Sequence, residues 1–113
     1  MKCWNVVFTQ EAKKDRDALN ISERNQVDKA IRKVSQNPLP KSEGGYGQPL
    51  GSKRGKNLTG LCKIKLLKLG IRVVYKIVRD QENMKIIVIA ARADDQVYEI
   101  ADKRTQERKT TNL

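Results

Sequence analysis

The sequence predicts an α+β fold: a small antiparallel sheet of about four strands, two N-terminal helices packed on it, and a short C-terminal helix. Three observations support this prediction. Segments rich in Val and Ile crowd the second half of the chain, an amphipathic helical stripe precedes them, and 113 residues are enough for one core but too few for two. We therefore expect one domain over residues 1–113.

The first strand and the first helix are predicted from a change in residue type at Thr9. Residues 4–8 are aromatic or β-branched apart from Asn5, which is typical of a strand. Residues 10–19 are mostly charged. Thr9 is suited to cap them as a helix, because its hydroxyl can accept a hydrogen bond from a backbone N–H of the first turn.

A second helix is predicted over residues 23–36, after a break at residues 20–22. Four apolar residues fall on one stripe at helical spacing, namely Val27, Ala30, Ile31 and Val34. The stripe indicates a helix that covers the sheet. Asn37 and Pro38 are predicted to end it, since the residue before a proline disfavours helical backbone.

The segment at about 39–60 is predicted to be a flexible, basic, glycine-rich arm. Loops of this length are uncommon in compact domains and carry either function or disorder. Residues 51–57 resemble a phosphate-binding loop only loosely, because the glycine spacing is wrong and Asn57 stands where Ser or Thr is needed. A solvated or partner-binding arm is the simpler interpretation.

Three strands are predicted beyond the arm. Residues 61–68 alternate in polarity, whereas 71–79 and 84–91 are rich in Val and Ile. Turns at 69–70 and 80–83 join them as an antiparallel meander.

The C-terminal helix is predicted to begin at Asp94 and Asp95. These two carboxylates suit a helix N-terminus better than a metal site. The helix carries Val97, Tyr98 and Ala101, and its end is predicted between residues 101 and 109.

The chain is strongly basic. Lys and Arg total 24 against 13 Asp and Glu, there is no His, and the formal charge is +11. Such a surface collects polyanions, which points to nucleic acid or an acidic protein as the partner. The lack of His excludes His-based catalysis and His-ligated metal sites, so any catalysis must use Lys, Arg, Tyr or carboxylates.

The cysteine content and hydropathy indicate a cytoplasmic protein. Cys3 and Cys62 are too few for a disulfide framework or a zinc knuckle, which favours a reducing compartment. No apolar run approaches the roughly 18 residues of a membrane span, and no apolar signal segment follows the N-terminus. We therefore expect no membrane partner.

Five side chains are candidates for a phosphodiester site: Lys63, Lys65, Arg72, Arg92 and Tyr98. The two lysines are two residues apart in a predicted strand, so they leave the same face about 6 to 7 Å apart. Four cations and a phenol suit a phosphodiester whose negative charge grows as the phosphorus becomes pentacoordinate. RNA supplies its own 2′-hydroxyl as nucleophile, and clustered positive charge favours a neutral lysine that can accept the proton. We expect neither a metal nor a cofactor.

Each of these residues also has a structural interpretation. The two lysines fit the solvated face of an amphipathic strand, and the two arginines fit ion pairs with Glu99 or Asp80. Tyr98 fits the core. The residues alone leave these alternatives open.

A series of short motifs runs through nearly the whole chain: WNVVFT at 4–9, the helix stop at 37–38, QPLG at 48–51, NLTGL at 57–61, KIKL at 63–66, GIRVVY at 70–75, and Arg92 followed by Val97 and Tyr98. In their order and spacing they resemble the RelE family of bacterial toxins, in the RelE/ParE superfamily of type II toxin–antitoxin modules. The resemblance implies a RelE-like fold.

The resemblance also implies an endoribonuclease, an mRNA interferase that enters the ribosomal A site, cuts the exposed codon by metal-independent 2′-hydroxyl transphosphorylation and stops translation. The implied partners are mRNA, ribosomal RNA and a cognate antitoxin rich in acidic residues. By the same resemblance Lys65 is the base, and Lys63 and Arg72 hold the phosphate. Arg92 stabilises or protonates the leaving oxygen, and Tyr98 orients the nucleotide.

Two other functions stay open at this point. One is a ParE-like toxin that inhibits gyrase, which the presence of all five candidate residues disfavours. The other is a noncatalytic basic module that binds RNA or DNA, for which the charge alone suffices. DNA-damage signalling without mRNA cleavage would favour the first, and normal growth on overexpression the second.

Overall fold

The computed structural model describes the backbone of residues 3–53 and 56–111, and the side chains within these ranges except those of 51–59, 94–95 and 106–111. In chain order the elements are β1 (Asn5–Phe8), α1 (Gln10–Asp17), α2 (Ile21–Val34), a short 3-10 helix (Lys41–Glu43), β2 (Gln48–Lys53), β3 (Lys56–Leu66), β4 (Ile71–Val78), β5 (Asn83–Ala90) and α3 (Asp94–Thr111). The α+β class is therefore confirmed.

The strands form one sheet in the order β1-β5-β4-β3-β2. The meander of β3, β4 and β5 is antiparallel, as predicted. β1 pairs in parallel with β5, from Asn5 opposite Asn83 to Phe8 opposite Ile86. The sheet thus has five strands and is mixed, whereas the sequence predicted about four antiparallel strands.

The fifth strand comes from the segment predicted to be an arm. β2 pairs antiparallel with β3, which begins at Lys56 rather than at residue 61. The loop prediction is therefore wrong for Gln48–Lys53 and from Lys56 onward, while Arg54 and Gly55 lie outside the described residues. The sequence did not indicate this strand because Pro49 and the nearby glycines are typical of a loop. An edge strand tolerates Pro, and the register of the β2–β3 pairing shifts beside Pro49.

The two N-terminal helices begin at polar caps. The Thr9 hydroxyl accepts a hydrogen bond from the Ala12 N–H at 3.0 Å, as predicted. α2 begins two residues before its predicted start because Asn20 and Glu23 form a reciprocal capping box. The helix ends at Val34, ahead of Pro38.

Two apolar clusters cover the two faces of the sheet. The first lies under α1 and α2 and contains Ala12, Val27, Ile31, Val34, Cys62, Ile71, Val73, Tyr75, Met84, Ile86 and Ile89. The second lies under α3 and contains Leu50, Leu61, Val74, Ile87, Val88, Val97, Tyr98 and Ala101. The predicted stripe of α2 therefore does cover the sheet, with Ala30 at its margin.

The C-terminal helix begins at Asp94 as predicted but has 18 residues, so the prediction of a short helix is wrong. Beyond Ala101 the sequence is almost wholly polar, which removes the apolar periodicity that marks a helix in sequence. The capping prediction for Asp94 and Asp95 concerns side chains outside the described residues. Among the described helices, none is both long and apolar enough to cross a membrane.

One prediction concerns the ion pair that joins α1 to α2. Arg16 donates from Nε and Nη2 to the Asp28 carboxylate at 2.8 and 2.5 Å, and this hydrogen bonding lowers the pKa of Asp28. A lowered pKa stabilises the fold above the unfolded value of about 3.9, and this stability is lost as the pH falls through the folded pKa. We expect Asp28→Asn to cost about 1 kcal/mol or less at neutral pH, because the pair is partly exposed.

Chemical denaturation of both proteins across pH measures this effect. The difference in unfolding free energy should shrink as the pH falls below about 4 and vanish below the lowered pKa of Asp28. The same substitution in an Arg16→Gln background should give a smaller pH-dependent difference, because Arg32 and Arg24 still lower the pKa of Asp28. A difference that stays constant from neutral to acidic pH would contradict this interpretation.

Candidate active site

The candidate site lies on the face of the sheet that α3 covers. Alternation along β3 sends Cys62 and Ile64 into the cluster under α1 and α2, and Lys63 and Lys65 to the other face. Lys65 is exposed and Lys63 is partly buried. The predicted separation of this strand into an apolar face and a cationic face is therefore confirmed.

Lys63 contacts Tyr98 directly. Its ammonium donates a hydrogen bond to the Tyr98 Oη at 2.6 Å and lies 5.3 Å from the ring centroid. Tyr98 is 6% exposed, and its ring belongs to the cluster under α3. Tyr98 is thus a core residue, as its structural interpretation expected, and its hydroxyl also accepts the hydrogen bond of Lys63.

Lys65 lies directly opposite Arg72. The pair is in register across β3 and β4, and both residues line a small cavity of about 50 Å³ beside the β3–β4 turn. The turn ends at Gly70, whose φ of 67° is the left-handed conformation that suits glycine. The short turn therefore places Lys65 beside Arg72.

Arg72 also connects to the end of β5. Its Nη1 donates a hydrogen bond to the main-chain carbonyl of Arg92 at 2.6 Å. The side chain of Arg92 itself is exposed. The structure therefore brings Lys63, Lys65, Arg72 and Tyr98 to one end of one face, and ties Arg92 to this group through its backbone.

The position of α3 depends on an ion pair that the sequence did not indicate. Arg104 Nη1 donates to an Asp15 carboxylate oxygen at 2.8 Å and to the Ile87 carbonyl at 2.7 Å. The same carboxylate accepts the Ile89 N–H at 3.1 Å. β1 pairs with β5 only as far as Ile86. Beyond that residue, Asp15 and Arg104 form hydrogen bonds with the backbone groups of β5 that β1 does not reach. Their ion pair also links α1 to α3 across this edge.

The described residues contain no group of three His, Cys, Asp or Glu side chains arranged to hold a metal ion. The site presents the positive charges of Lys63, Lys65 and Arg72 on the sheet, next to the apolar cluster under α3. Such an arrangement can bind a phosphodiester and stabilise added negative charge on it.

Solved structures show which known fold this is. The chain is similar to a doubly substituted form of the E. coli toxin RelE in the free state, with 24% identity over 91% of this chain and 98% of that one and a TM-score of 0.70. It is also similar to the intact E. coli RelBE toxin–antitoxin complex, with 22% identity over 80% and 98% of the two chains and a TM-score of 0.63.

A third similar structure is the RelBE2 toxin–antitoxin complex of Mycobacterium tuberculosis, with 24% identity over 83% of this chain and 97% of that one and a TM-score of 0.65. No family model and no curated protein sequence matches the chain. At this level of identity the likeness concerns the fold. The chain has the RelE fold, which the sequence motifs predicted.

A second prediction follows from the Arg104–Asp15 pair. The Arg104 side chain is 21% exposed, so Arg104→Ala removes a largely buried ion pair and leaves the Ile87 carbonyl without this donor. We expect a loss of about 2 kcal/mol in unfolding free energy. Lys103→Ala, at the exposed neighbouring position, serves as the control and should change stability by less than about 0.5 kcal/mol. Equal effects of the two substitutions in chemical denaturation would show that the pair does not hold α3.

Proposed function

We propose that this chain, which has the RelE fold, is the toxin of a type II toxin–antitoxin module and cleaves mRNA in the ribosomal A site. The observation that carries the proposal is the group formed by Lys63, Lys65, Arg72 and Tyr98 on one face of the sheet. The motif resemblance to the RelE family and the formal charge of +11 support it.

The reaction is an intramolecular transphosphorylation. The 2′-hydroxyl of the RNA attacks the adjacent phosphorus, so a P–O2′ bond forms and the P–O5′ bond breaks. The 2′ proton passes to a base on the protein, and the departing 5′ oxygen takes up a proton from solvent water. The products are a 2′,3′-cyclic phosphate and a 5′-hydroxyl. Because the phosphorane gains negative charge, cations placed beforehand at its oxygens lower the barrier.

The site residues divide this work. Lys63 and Arg72 hold the nonbridging oxygens; Arg72 suits this task because its guanidinium presents several donors in one plane. Lys65, beside Arg72, takes the 2′ proton. Arg92, at the end of β5, stabilises the leaving oxygen. Tyr98 fixes Lys63 through the 2.6 Å hydrogen bond and orients the nucleotide.

The same positive charge accounts for the proposed partners. A basic surface favours association with ribosomal RNA as well as with the mRNA, and both are polyanions. It also favours an antitoxin rich in acidic residues, which would neutralise the site. Two of the similar solved structures are toxin–antitoxin complexes, which supports an antitoxin as partner.

Cleavage of mRNA on purified ribosomes tests this function. We expect Lys65→Ala to lower the single-turnover rate by about 100-fold or more, because proton transfer by a positioned base is worth at least that much. Lys14→Ala, which removes an exposed charge from α1 on the other face of the sheet, should leave the rate unchanged.

Two features of the chemistry should accompany that loss. One product should end in a 2′,3′-cyclic phosphate, and a 2′-deoxy sugar at the cleaved nucleotide should abolish cleavage. Equal rates for Lys65→Ala and the unmodified protein, or cleavage of the 2′-deoxy substrate, would refute the mechanism.

A separate prediction concerns the Tyr98 hydroxyl. Tyr98→Phe keeps the ring in the apolar cluster but removes the acceptor of the Lys63 hydrogen bond. A hydrogen bond to a charged group is worth about 1.5 to 3 kcal/mol, so we expect cleavage to slow by about tenfold or more. Thermal unfolding should show that the variant is folded, with a loss of stability no larger than the value of one such hydrogen bond. Unchanged cleavage would show that the hydroxyl does not contribute.

A further inference from the structure

A cationic groove lies next to the candidate site and has no part in the chemistry described above. It has a volume of about 450 Å³ and runs between α2, the loop of residues 37–47 and the edge of β3. The edge of β3 at Lys63 and Lys65 forms one wall of the groove, while the side chains of these two lysines leave the opposite face of the sheet. The residues that complete the groove include Lys33, Lys41, Tyr46 and Gln48. A volume of this size falls within the range of small-ligand sites.

The charge of the groove is uniformly positive. Lys33 and Lys41 line it on this face of the sheet, and none of the described lining residues is acidic. The acidic residue of the 3-10 helix, Glu43, accepts hydrogen bonds from Arg79 at 2.9 and 2.7 Å, and this pairing lowers its pKa. Its charge is thus matched by an arginine outside the groove lining, so it does not offset the lysines.

Tyr46 gives the groove an aromatic surface. It is 46% exposed, which is unusual for a large apolar ring in this protein. Lys33 lies 5.7 Å from its ring centroid, a distance at which a cation and a ring attract each other. A cation and an exposed ring side by side suit a ligand that has both a negative charge and a flat face.

The loop that carries Tyr46 is held in place by the rest of the fold. The Tyr46 N–H donates to the Asn37 carbonyl and the Gly47 N–H to the Leu39 carbonyl, both at 2.9 Å. Below the loop, Tyr75 donates from its buried hydroxyl to the Pro38 carbonyl at 2.7 Å, and burial raises the pKa of this phenol.

The glycines on either side of Tyr46 are required by this packing. A side chain at Gly45 would collide with the Leu39 carbonyl, and one at Gly47 would come within 2.6 Å of the Tyr75 hydroxyl. The ring is therefore presented by a closely packed loop, at little entropic cost on binding.

We infer that this groove binds the nucleotide next to the scissile linkage of a single-stranded RNA, with its base stacked on Tyr46 and its phosphate between Lys33 and Lys41. This inference rests on the proposed function, since the groove and the candidate site lie on either side of the same segment of β3, at Lys63 and Lys65. The aromatic ring favours RNA over an acidic peptide, because a base offers a face for stacking and a carboxylate does not.

Fluorescence anisotropy with a short single-stranded RNA tests the groove apart from the chemistry. The RNA carries 2′-O-methyl groups, so the attacking hydroxyl is blocked and only binding is measured. We expect Tyr46→Ala to weaken binding about tenfold, from the value of one base stacked on an aromatic ring, and Tyr46→Phe to bind like the unmodified protein. Lys41→Ala should also reduce the slope of log Kd against log salt by about 0.7, the value for one lost phosphate contact.

Two controls make the result specific. Lys14→Ala removes the same charge from α1, outside the groove lining, and should have less effect on affinity than Lys41→Ala. An oligoglutamate peptide measures how the groove responds to acidic protein chains. Circular dichroism verifies that each variant is folded.

Weaker RNA binding by Tyr46→Ala and Lys41→Ala, with recovery in Tyr46→Phe, supports the groove even if the chain proves not to cleave mRNA, in which case only the proposed function fails. Wild-type affinity in both alanine variants overturns the inference, whatever the cleavage activity. The inference is also overturned if oligoglutamate binding depends on Lys41 while RNA binding is indifferent to Tyr46, because the groove would then be a site for acidic peptides.

Discussion

The alternation of side chains along β3 is the constraint on which the rest of this structure depends. A strand sends successive residues to opposite faces, so packing Cys62 and Ile64 under α1 and α2 obliges Lys63 and Lys65 to point the other way. A shift of one residue in register would bury both lysines and expose the core residues, so the core itself fixes where the positive charge lies. The cationic face is thus a consequence of burying the apolar one.

The candidate site needs side chains from other elements besides the cationic face of β3. Tyr98 is brought there by α3, which in turn is tied to the β5 edge and to α1 by Arg104 and Asp15. The short turn after β3 places Arg72 opposite Lys65. Arg72 also donates a hydrogen bond to the Arg92 carbonyl, just beyond the end of β5. The loop of residues 37–47 adds Tyr46 and Lys41 on the side of β3 that β2 leaves uncovered. In our proposal, a phosphate-binding centre thus adjoins a groove that holds the neighbouring part of the same RNA.

Local features of this fold could be read from the sequence, and distant ones could not. The Thr9 cap, the α2 stripe and the alternation of β3 are expressed within a few consecutive residues, as is the placement of Arg72 after a two-residue turn signal. β2 was missed because Pro49 and its neighbouring glycines imitate a loop, although an edge strand accepts them. The parallel pairing of β1 with β5 and the contact between Asp15 and Arg104 join residues far apart in the chain, the latter separated by 89 positions, and no local pattern encodes them. The sequence does show Tyr46 as an aromatic residue between two glycines. Only the packing of the loop shows that the ring is held exposed beside Lys33.

The central claim is that the β3 lysines, Arg72 and Tyr98 act on one phosphate, and a double-mutant cycle on single-turnover cleavage tests it most directly. Rates are measured for Lys63→Ala, Arg72→Ala and the double variant, with Lys14→Ala combined with Arg72→Ala as the reference pair. Groups that stabilise the same phosphorane are not independent, so the double variant should lose less than the product of the two single losses. The reference pair should be multiplicative. Strictly multiplicative losses for Lys63 and Arg72, equal to those of the reference pair, would show that the two residues act separately and would contradict the account.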